Sequence, residues 1–583
     1  MPVVRLALAQ MNAVVGDLAT NLATIARLRT QAQGAGADLV VTPEMALTGY
    51  PPEDLLLKEG FVEAADAALD VLVAESQGPP IVVGTVLAEG SRGVVLAPSG
   101  DGRDQVGDEG RRAHVANALA VVDGAEVVTT ATKRHLPNYD VFDERRYFHP
   151  GVGPHALVRV GDVPVGLLIC EDVWLPAGPA RELADQGARL LVVANASPYA
   201  RGRREERREM LRARARETGC AIAYVNLVGG QDELVFDGQS MVVDATGELI
   251  ASASAFDEVL LVVDVEVPAG PGGLSVGRPV ERPAGLARPP LAPVLDEVEE
   301  VYRALVTGTR DYLRKNGFRR AILGLSGGVD SSLVATIAVD AVGARAVRGV
   351  AMPSRYSSTH SLEDAAELAR RLDIELSVVP IEPAHATLRA MLAPVLGEEP
   401  TGLTDENLQS RVRGVLLMGI SNSTGAIVLT TGNKSEMATG YSTLYGDSAG
   451  GFAVIKDVPK TLVYQLCHYR NAAAILDGDE PPIPVSVLEK PPSAELRPDQ
   501  RDDQSLPPYD ELDPLLELYV ERDATAVEMI ELGHDPDVVQ RIVRLVDGSE
   551  YKRRQMPPGV RISGKAFGRD RRMPITNGFG RPR

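Results

Sequence analysis

Three side chains in the first half of the chain have the types that acyl transfer needs: Glu44, Lys133 and Cys170. Each stands just past an apolar run that reads as a strand. Leu39 to Thr42 precedes Glu44, Glu126 to Thr132 precedes Lys133, and Val163 to Ile169 precedes Cys170. Active-site groups in open α/β sheets gather at strand ends. A thiol is a good nucleophile once deprotonated, and a nearby cation and base lower the cost of that state. The set permits Cys170 to attack an amide carbon, Glu44 to take and return the proton, and Lys133 to stabilise the tetrahedral oxyanion. Taken singly, each has a plainer reading. A Cys at a strand end is commonly a small core residue, Glu44 suits a helix N-terminus, and a lone Lys is commonly a solvated charge.

The second half carries a different chemistry. An apolar run from Ala321 reads as a buried parallel strand, followed by the turn Gly324-Leu325-Ser326-Gly327-Gly328-Val329-Asp330-Ser331-Ser332 and a helix from Ser332 to Val342. Two adjacent glycines let backbone N–H groups close on a phosphate, and the helix dipole favours negative charge there. No Lys follows the glycines, so this is not the kinase-type phosphate loop. The serine hydroxyls and the Asp330 carboxylate, a ligand suited to Mg²⁺, fit the pyrophosphate that leaves when ATP donates its AMP part. A stretch near the C-terminus, Gly559 to Lys565, imitates a phosphate loop. It ends in Ala566 where Ser or Thr would hold Mg²⁺, and no strand precedes it, so it reads as a decoy. The basic tail that follows, Arg569 to Arg583, is expected to pack on the surface.

The elements that must position these groups alternate strand with helix, which implies an α/β layer fold. Val3 to Ala9 is a strand, Leu18 to Gly34 an amphipathic helix, and Phe61 to Gln77 a helix leading to a strand from Pro80 to Val86. Ser99 to Arg112 is polar and Gly-rich and reads as a surface loop. Pro and Gly crowd residues 267–293, which read as an extended linker wrapping a surface. The expected domains are therefore 1–268 and 295–583, with 269–294 between them. In the second, strands follow at Ala346 to Met352, Glu375 to Pro380 and Ala426 to Thr431. A helix from Ser361 to Leu372 has a plausible Ser cap, and Asn407 opens another that reaches Ser421. This pattern predicts a doubly wound parallel sheet with nucleotide at the strand ends. Ser486 to Tyr509, rich in Pro and acids, fits a lid over the adenylate and equally a solvated linker.

Composition narrows the function classes. Sixty basic against eighty acidic residues give a formal charge of −20, which argues against nucleic-acid and anionic-membrane partners. Cys170, Cys220 and Cys467 are too sparse for a disulfide frame and show no metal-ligand spacing. No run approaches membrane-spanning length and no signal-peptide pattern opens the chain, so a soluble, cytoplasmic protein is expected.

The flanking words add a resemblance. Pro43-Glu44-Met45 through Thr48-Gly49-Tyr50, Lys133-Arg-His-Leu-Pro-Asn-Tyr139 through Phe142-Asp-Glu144-Arg-Arg, and Ile169-Cys170-Glu171-Asp172-Val-Trp174 resemble the nitrilase, or carbon–nitrogen hydrolase, family from about residue 3 to residue 265. The resemblance implies a four-layer α-β-β-α sandwich. It also implies that Glu144 orients the Lys and the substrate, and that Tyr139, Ser197 and Arg203 grip the amino-acid end of glutamine. An Arg can pair with an α-carboxylate, but Arg203 also lies on a charge-rich helix face, and both readings stand.

Ser-Gly-Gly-Val-Asp-Ser-Ser resembles the ATP-pyrophosphatase superfamily, whose domains are adenine nucleotide α-hydrolase-like. Asn407 to Arg413, Thr431 to Glu436, Tyr445-Gly446-Asp447 and Lys456 to Thr461 narrow the likeness to the NAD synthetase family, and with the first half attached to its glutamine-dependent members. That likeness implies Mg²⁺ on Asp330 and Glu436, and ATP contacts from Thr431, Lys460 and Ser493 besides the turn. It further implies deamido-NAD contacts from Asn407, Arg411, Glu436 and Lys552. The implied reaction is glutamine hydrolysis through a Cys thioester. The ammonia then amidates adenylated deamido-NAD, with release of AMP and pyrophosphate, as the last step of NAD biosynthesis. A dimer-based homo-oligomer, up to an octamer, is expected. Leu444 departs from the pattern of ammonia-only members, which carry Lys just before Tyr-Gly-Asp. Two other functions fit the motifs: a ligase of this design for another carboxylate, and an amidase whose second half only senses nucleotide.

Overall fold

β1 (Val3–Gln10) is buried along nearly its whole length, as an apolar strand covered on both faces must be. The computed structural model describes residues 1–578 except 59, 76, 98–113, 154, 278–284 and 286. The polar stretch Ser99 to Arg112 lies outside the described residues. The chain forms two compact units: Met1–Gln231 with Val235–Val294, and Asp232–Leu234 with Leu295–Arg583.

The first unit holds two large sheets. Its strands after β1 are β2 (Leu39–Val41), β3 (Ile81–Ala88), β4 (Val115–Asp123), β5 (Glu126–Thr132), β6 (Val158–Val160), β7 (Val163–Ile169), β8 (Leu190–Asn195) and β9 (Ala221–Asn226). The series continues with β10 (Val228–Gln231), β11 (Leu234–Asp237), β12 (Met241–Val243), β13 (Leu249–Ser252), β14 (Val259–Glu266) and β15 (Leu274–Val276). One sheet runs β14-β1-β2-β3-β4-β5 and the other β13-β12-β9-β8-β7-β6-β15. Their inner faces meet in one core, where Leu6, Leu8, Val41 and Leu119 pack with Val165, Leu167, Val192 and Val225. Helices cover the outer faces. Leu18–Gly34 and Phe61–Ala74 bury Ile25, Leu28, Leu69 and Leu72 on one side. Pro179–Asp185 and Arg203–Thr218 bury Leu183, Met210 and Leu211 against Leu191 and Ile222 on the other. The result is the four-layer α-β-β-α sandwich.

The second unit is built on five parallel strands, β16 (Ala321–Gly324), β17 (Val347–Ala351), β18 (Glu375–Val378), β19 (Ile427–Thr430) and β20 (Phe452–Ala453). Their order is β18-β17-β16-β19-β20. The order reverses between β16 and β19, and a crevice for ligand opens at such a switch point. Both strands end in loops that the sequence singled out: the Gly-rich turn after β16, and Thr431 to Asn433 after β19. Residues 506–546 add a helical cluster with Leu512, Leu516, Val520, Met529 and Ile542 at its centre.

Four sequence expectations about secondary structure need correction. The helix after the phosphate turn begins at Val329, not Ser332, so Asp330 lies in its first turn. The helix Thr359–Arg371 is capped by Ser358, whose side chain accepts from the Ser361 N–H, so Ser361 lies inside it. Asn407 lies inside the helix Leu403–Thr424 rather than opening it. The Pro/Gly-rich linker contains β15, which pairs in parallel with β6. An edge strand is held by backbone hydrogen bonds and needs no side-chain periodicity, which is why composition hid it.

Candidate active sites

Glu44 sits in the turn after β2. Gly84 on β3 makes room for that turn, since a Cβ there would lie 2.1 Å from the Pro43 carbonyl oxygen. Three donors converge on the Glu44 carboxylate. Oε1 accepts from Lys133 Nζ at 2.8 Å and from Asn117 Nδ2 at 2.6 Å, and Oε2 accepts from the Ala196 N–H at 2.8 Å. Lys133 follows β5, is fully buried, and also donates to Glu144 Oε1 at 2.7 Å. Burial pulls the ammonium's pKa down, but Glu144 and Glu44 override it and hold Lys133 charged. Burial, opposed by Lys133, raises Glu144 to about 7. Its Oε1 takes a second hydrogen bond, from the Tyr50 hydroxyl at 2.8 Å, and its buried Oε2 has no partner among the described residues.

Cys170 is the first residue past β7, in a left-handed conformation (φ 42°) that turns the chain sharply into a short 3-10 helix. Asp172, two residues on, accepts from the backbone N–H groups of Arg134 and His135 at 3.2 and 2.9 Å, which ties this turn to the strand end carrying Lys133. Burial, then Glu44, pushes the Cys170 thiol well up, with Lys133 opposing. The resting thiol is therefore protonated, and attack requires a base to receive that proton.

Tyr139 is half exposed and donates to Glu171 at 2.9 Å, and burial, then Glu171, raises its hydroxyl, with Arg203 opposing. Arg203 opens its helix and pairs with Glu206 at 2.9 Å. Ser197 follows the strand neighbouring β7. Its hydroxyl accepts from Arg207 Nε at 3.1 Å. Arg207 is fully buried, also donates to the Ser197 and Pro198 carbonyls, and forks onto Asp237 at 2.8 Å. The structure thus gathers Glu44, Lys133, Glu144 and Cys170, with Tyr139, Ser197 and Arg203 around them. Sequence reasoning missed Asn117, Tyr50 and Arg207. An Asn inside an apolar strand is a usable signal for the first. Arg207, one of many arginines on its helix, offers none.

In the second unit, Gly327 takes φ 74° and lies so close to the helix Thr359–Arg371 that a Cβ would meet the Ser361 carbonyl oxygen at 2.1 Å. Within the turn, the Ser331 and Ser332 hydroxyls donate to the Gly328 carbonyl and Ser326 Oγ accepts from the Gly328 N–H. Asp330 is held on both oxygens. Oδ1 accepts from Asn433 Nδ2 at 2.9 Å, and Oδ2 pairs with Lys460. Lys460 lies 3.8 Å from Glu436 as well. Burial, then Asp330, raises Glu436 well above the usual carboxylate range, with Lys460 opposing. Asn433 and Glu436 form a capping box on the helix Lys434–Thr439. Two carboxylates with room for water and phosphate oxygens form the donor set that Mg²⁺ takes, and Asp330 with Glu436 fits it. Among the described residues no group of three or more His, Cys, Asp or Glu is arranged to hold a metal.

Asn407 Oδ1 accepts from the Thr443 hydroxyl at 2.7 Å, Arg411 Nε donates to the Leu444 carbonyl at 3.3 Å, and Lys552 Nζ donates to the Gly440 and Ser442 carbonyls. These three therefore converge on the loop 440–447. Thr431 follows β19 directly. Ser493 donates to the Gln500 carbonyl at 2.6 Å within its own segment. Two residues on, Glu495 accepts from the hydroxyls of Ser358 and Ser361, which fastens that segment at the phosphate turn's neighbour.

The two sites define the class. Residues 5–269 match the carbon-nitrogen hydrolase family and residues 301–557 the NAD synthase family, so the molecule joins a carbon–nitrogen hydrolase to a nucleotide-dependent synthase. It is 43% identical to the glutamine-dependent NAD(+) synthetase of Thermotoga maritima, with 99% of each chain covered, and 45% identical to that of Rhodobacter capsulatus, with 98% of each covered. The chain belongs to the glutamine-dependent NAD(+) synthetase family. Its fold is similar to the solved structure of the Acinetobacter baumannii enzyme in complex with ADP (TM-score 0.74, 38% identity, 99% of each chain). A synthetase from Cytophaga hutchinsonii shares the fold at 20% identity (TM-score 0.79).

Proposed function

We propose that the chain makes NAD from deamido-NAD, ATP and glutamine, with residues 1–268 as the glutaminase, 269–294 as the connection and 295–583 as the synthetase. In the first half-reaction Glu44 takes the Cys170 proton as sulfur bonds to the glutamine amide carbon. Lys133 stabilises the oxyanion, and the returned proton lets ammonia leave. Water then hydrolyses the thioester to glutamate. Glu144 holds Lys133 in place, while Ser197, Tyr139 and Arg203 bind the α-amino-acid end of the substrate. In the second half-reaction the 324–332 turn, Thr431, Lys460 and Ser493 bind ATP. Asn407, Arg411, Glu436 and Lys552 bind deamido-NAD, whose carboxylate attacks the α-phosphorus and expels pyrophosphate. Ammonia then displaces AMP. Mg²⁺ on Asp330 and Glu436 would supply positive charge against the phosphates. With Leu444 in place of a Lys, the positive charge for the substrate comes from Arg411 and Lys552, which both donate to carbonyls of the 440–447 loop.

The observation that carries this reading is the pairing, in one chain, of a Cys–Glu–Lys set at strand ends with a phosphate turn whose Asp330 is held by Lys460 and Asn433. The direct test is NAD formation from deamido-NAD with glutamine and, separately, with ammonium. Other acceptor acids run in parallel decide the substrate. Glutamine hydrolysis with no pyrophosphate released from ATP, whatever the acceptor acid, would reduce the chain to an amidase. Further parts of the proposal are a dimer-based homo-oligomer, up to an octamer, checked by light scattering, and a place in the cytoplasm. No helix among the described residues is long and apolar enough to cross a membrane.

A further inference from the structure

The false phosphate loop at Gly559 to Lys565 binds an anion after all, and the anion is the protein's own. The Asp457 carboxylate accepts from the backbone N–H groups of Ile562 and Ser563, both at 2.8 Å, and from the Ser563 hydroxyl at 2.7 Å. Consecutive N–H groups closing on a carboxylate oxygen form a nest, the geometry such turns use for phosphate. The turn is braced on both sides. Arg561 donates to Asp570 at 2.6 Å and to the Gly564 carbonyl at 2.5 Å, and Lys565 pairs with Asp523. Its approach is anchored by the Ala453 N–H on the Pro558 carbonyl at 2.8 Å.

What lies behind this nest is the adenylation site. Asp457 pairs at 2.8 Å with the buried Lys434, whose ammonium also reaches Ser563 Oγ at 3.0 Å and Glu521 at 2.7 Å. Lys434 follows Asn433 directly and stands two residues before Glu436. Asp457 stands three residues before Lys460. Asn433 and Lys460 are the two groups that hold Asp330. Two backbone bonds make the coupling tighter: the Lys434 N–H donates to the Val458 carbonyl at 2.9 Å, and the Lys460 N–H to Ser435 Oγ at 2.9 Å. The Lys434–Asp457 pair therefore fixes one side of the site against the other, and the Ser563 side chain bonds to both partners from the C-terminal turn. The NAD synthase family model matches residues 301–557, so Ser563 lies past its end.

We propose that Ser563 is a positioning residue for adenylation. Through Asp457 and Lys434 it sets the placement of Asn433 and Lys460 on Asp330, so the C-terminal turn is part of the synthetase machinery. This rests on the synthetase reading above. The test uses the full-length protein with Ser563→Ala and Ser563→Thr. Removing the hydroxyl takes one donor from Asp457 and one acceptor from Lys434, and a loss of that size is roughly tenfold in an equilibrium or rate. Ser563→Ala should lower kcat for NAD formation roughly tenfold with ammonium and glutamine alike, leave glutamine hydrolysis without other substrates unchanged, and weaken binding of ADP with Mg²⁺ by calorimetry several-fold. Ser563→Thr should restore both. Wild-type kinetics and ADP affinity in Ser563→Ala would overturn the proposal. So would a loss no larger than the drop in folded fraction, or failure of Thr to restore function. If Ser563→Ala does not fold, Asp457→Asn is put through the same two measurements, and wild-type kinetics and ADP affinity there would overturn the proposal equally. If the wild type makes no NAD, the synthetase reading fails on its own, while ADP calorimetry still decides the role of Ser563.

Discussion

Asp330→Asn tests the adenylation site most directly. The substitution keeps size and removes charge. In the native site one carboxylate oxygen receives Asn433 and the other receives Lys460. An asparagine has one acceptor, so whichever way it turns, its NH₂ faces one of those donors. Losing a charge-assisted hydrogen bond costs about 1.5–3 kcal/mol, and a buried cation stripped of its partner costs about 3–5 kcal/mol. Lys460 keeps Glu436 at 3.8 Å, so the lower end applies, and about 3–4 kcal/mol corresponds to a loss of roughly 10²–10³ in kcat/KM. In the proposed reading Asp330 would also hold Mg²⁺, and loss of that charge would add to this. NAD formation should be assayed with saturating ammonium, which bypasses the glutaminase, at high and low Mg²⁺. Both nitrogen sources should fail equally while glutamine hydrolysis without other substrates persists. Near-normal synthesis at low Mg²⁺ would show that Asp330 holds neither the metal nor Lys460 in the working state.

Three further outcomes follow from the glutaminase geometry. Cys170→Ala should reduce glutamine-dependent synthesis by about three orders of magnitude or more and leave ammonia-dependent synthesis largely intact; loss of both would defeat the division into two sites. Arg203→Ala should raise the KM for glutamine about tenfold with a smaller change in kcat, as expected for an α-carboxylate contact made equally in ground and transition states, and an unchanged KM would leave Arg203 as the partner of Glu206 alone. Glu144 titrates at about 7. Below that pH its carboxyl is neutral and loses its anionic hold on Lys133, so kcat/KM for glutamine hydrolysis should fall with falling pH, approaching about tenfold per unit. Glu144→Gln should lack that limb, and a variant that retains it would place the ionisation elsewhere.

What the sequence makes legible is local. Apolar runs such as Val163 to Ile169 become strands because burial on both faces leaves little room for polar residues. Cys170, Glu44 and Lys133 can be placed at strand ends for that reason. What it conceals depends on contacts between distant segments. Ser358 and Ser361 both have the residue type of an N-cap, and only the backbone trace shows that the helix starts after Ser358. Arg203 and Arg207 share a helix face in sequence, yet one sits at the helix start against Glu206 and the other is buried under Ser197. The missing Ser or Thr after Lys565 is enough to exclude a nucleotide loop at Gly559 to Lys565, but nothing local identifies Asp457 as its occupant. Arg571, expected on a surface tail, is instead buried near Asp547 and Glu550.

The two sites solve opposite problems with the same charge arrangement. In each, a buried lysine lies among carboxylates that outnumber it: Lys133 with Glu44 and Glu144, and Lys460 with Asp330 and Glu436. With both acids ionised, each set carries one surplus negative charge, which a low-dielectric site tolerates poorly. In the glutaminase the excess is relieved by a proton. Glu144 titrates near neutrality, and burial, with the same surplus adding to it, holds the Cys170 thiol protonated until Glu44 receives its proton during attack. In the synthetase Lys460 and Asn433 hold Asp330 in the first turn of its helix, while burial, then Asp330, raises Glu436; in the proposed reading a divalent cation bound with the nucleotide would add positive charge there. The lysine count is the same in both, and what differs is the neighbour. A thiol offers a proton and so makes a nucleophile. A phosphate-binding turn offers only backbone N–H groups and hydroxyls, and in the proposed reading metal and nucleotide together would complete the site.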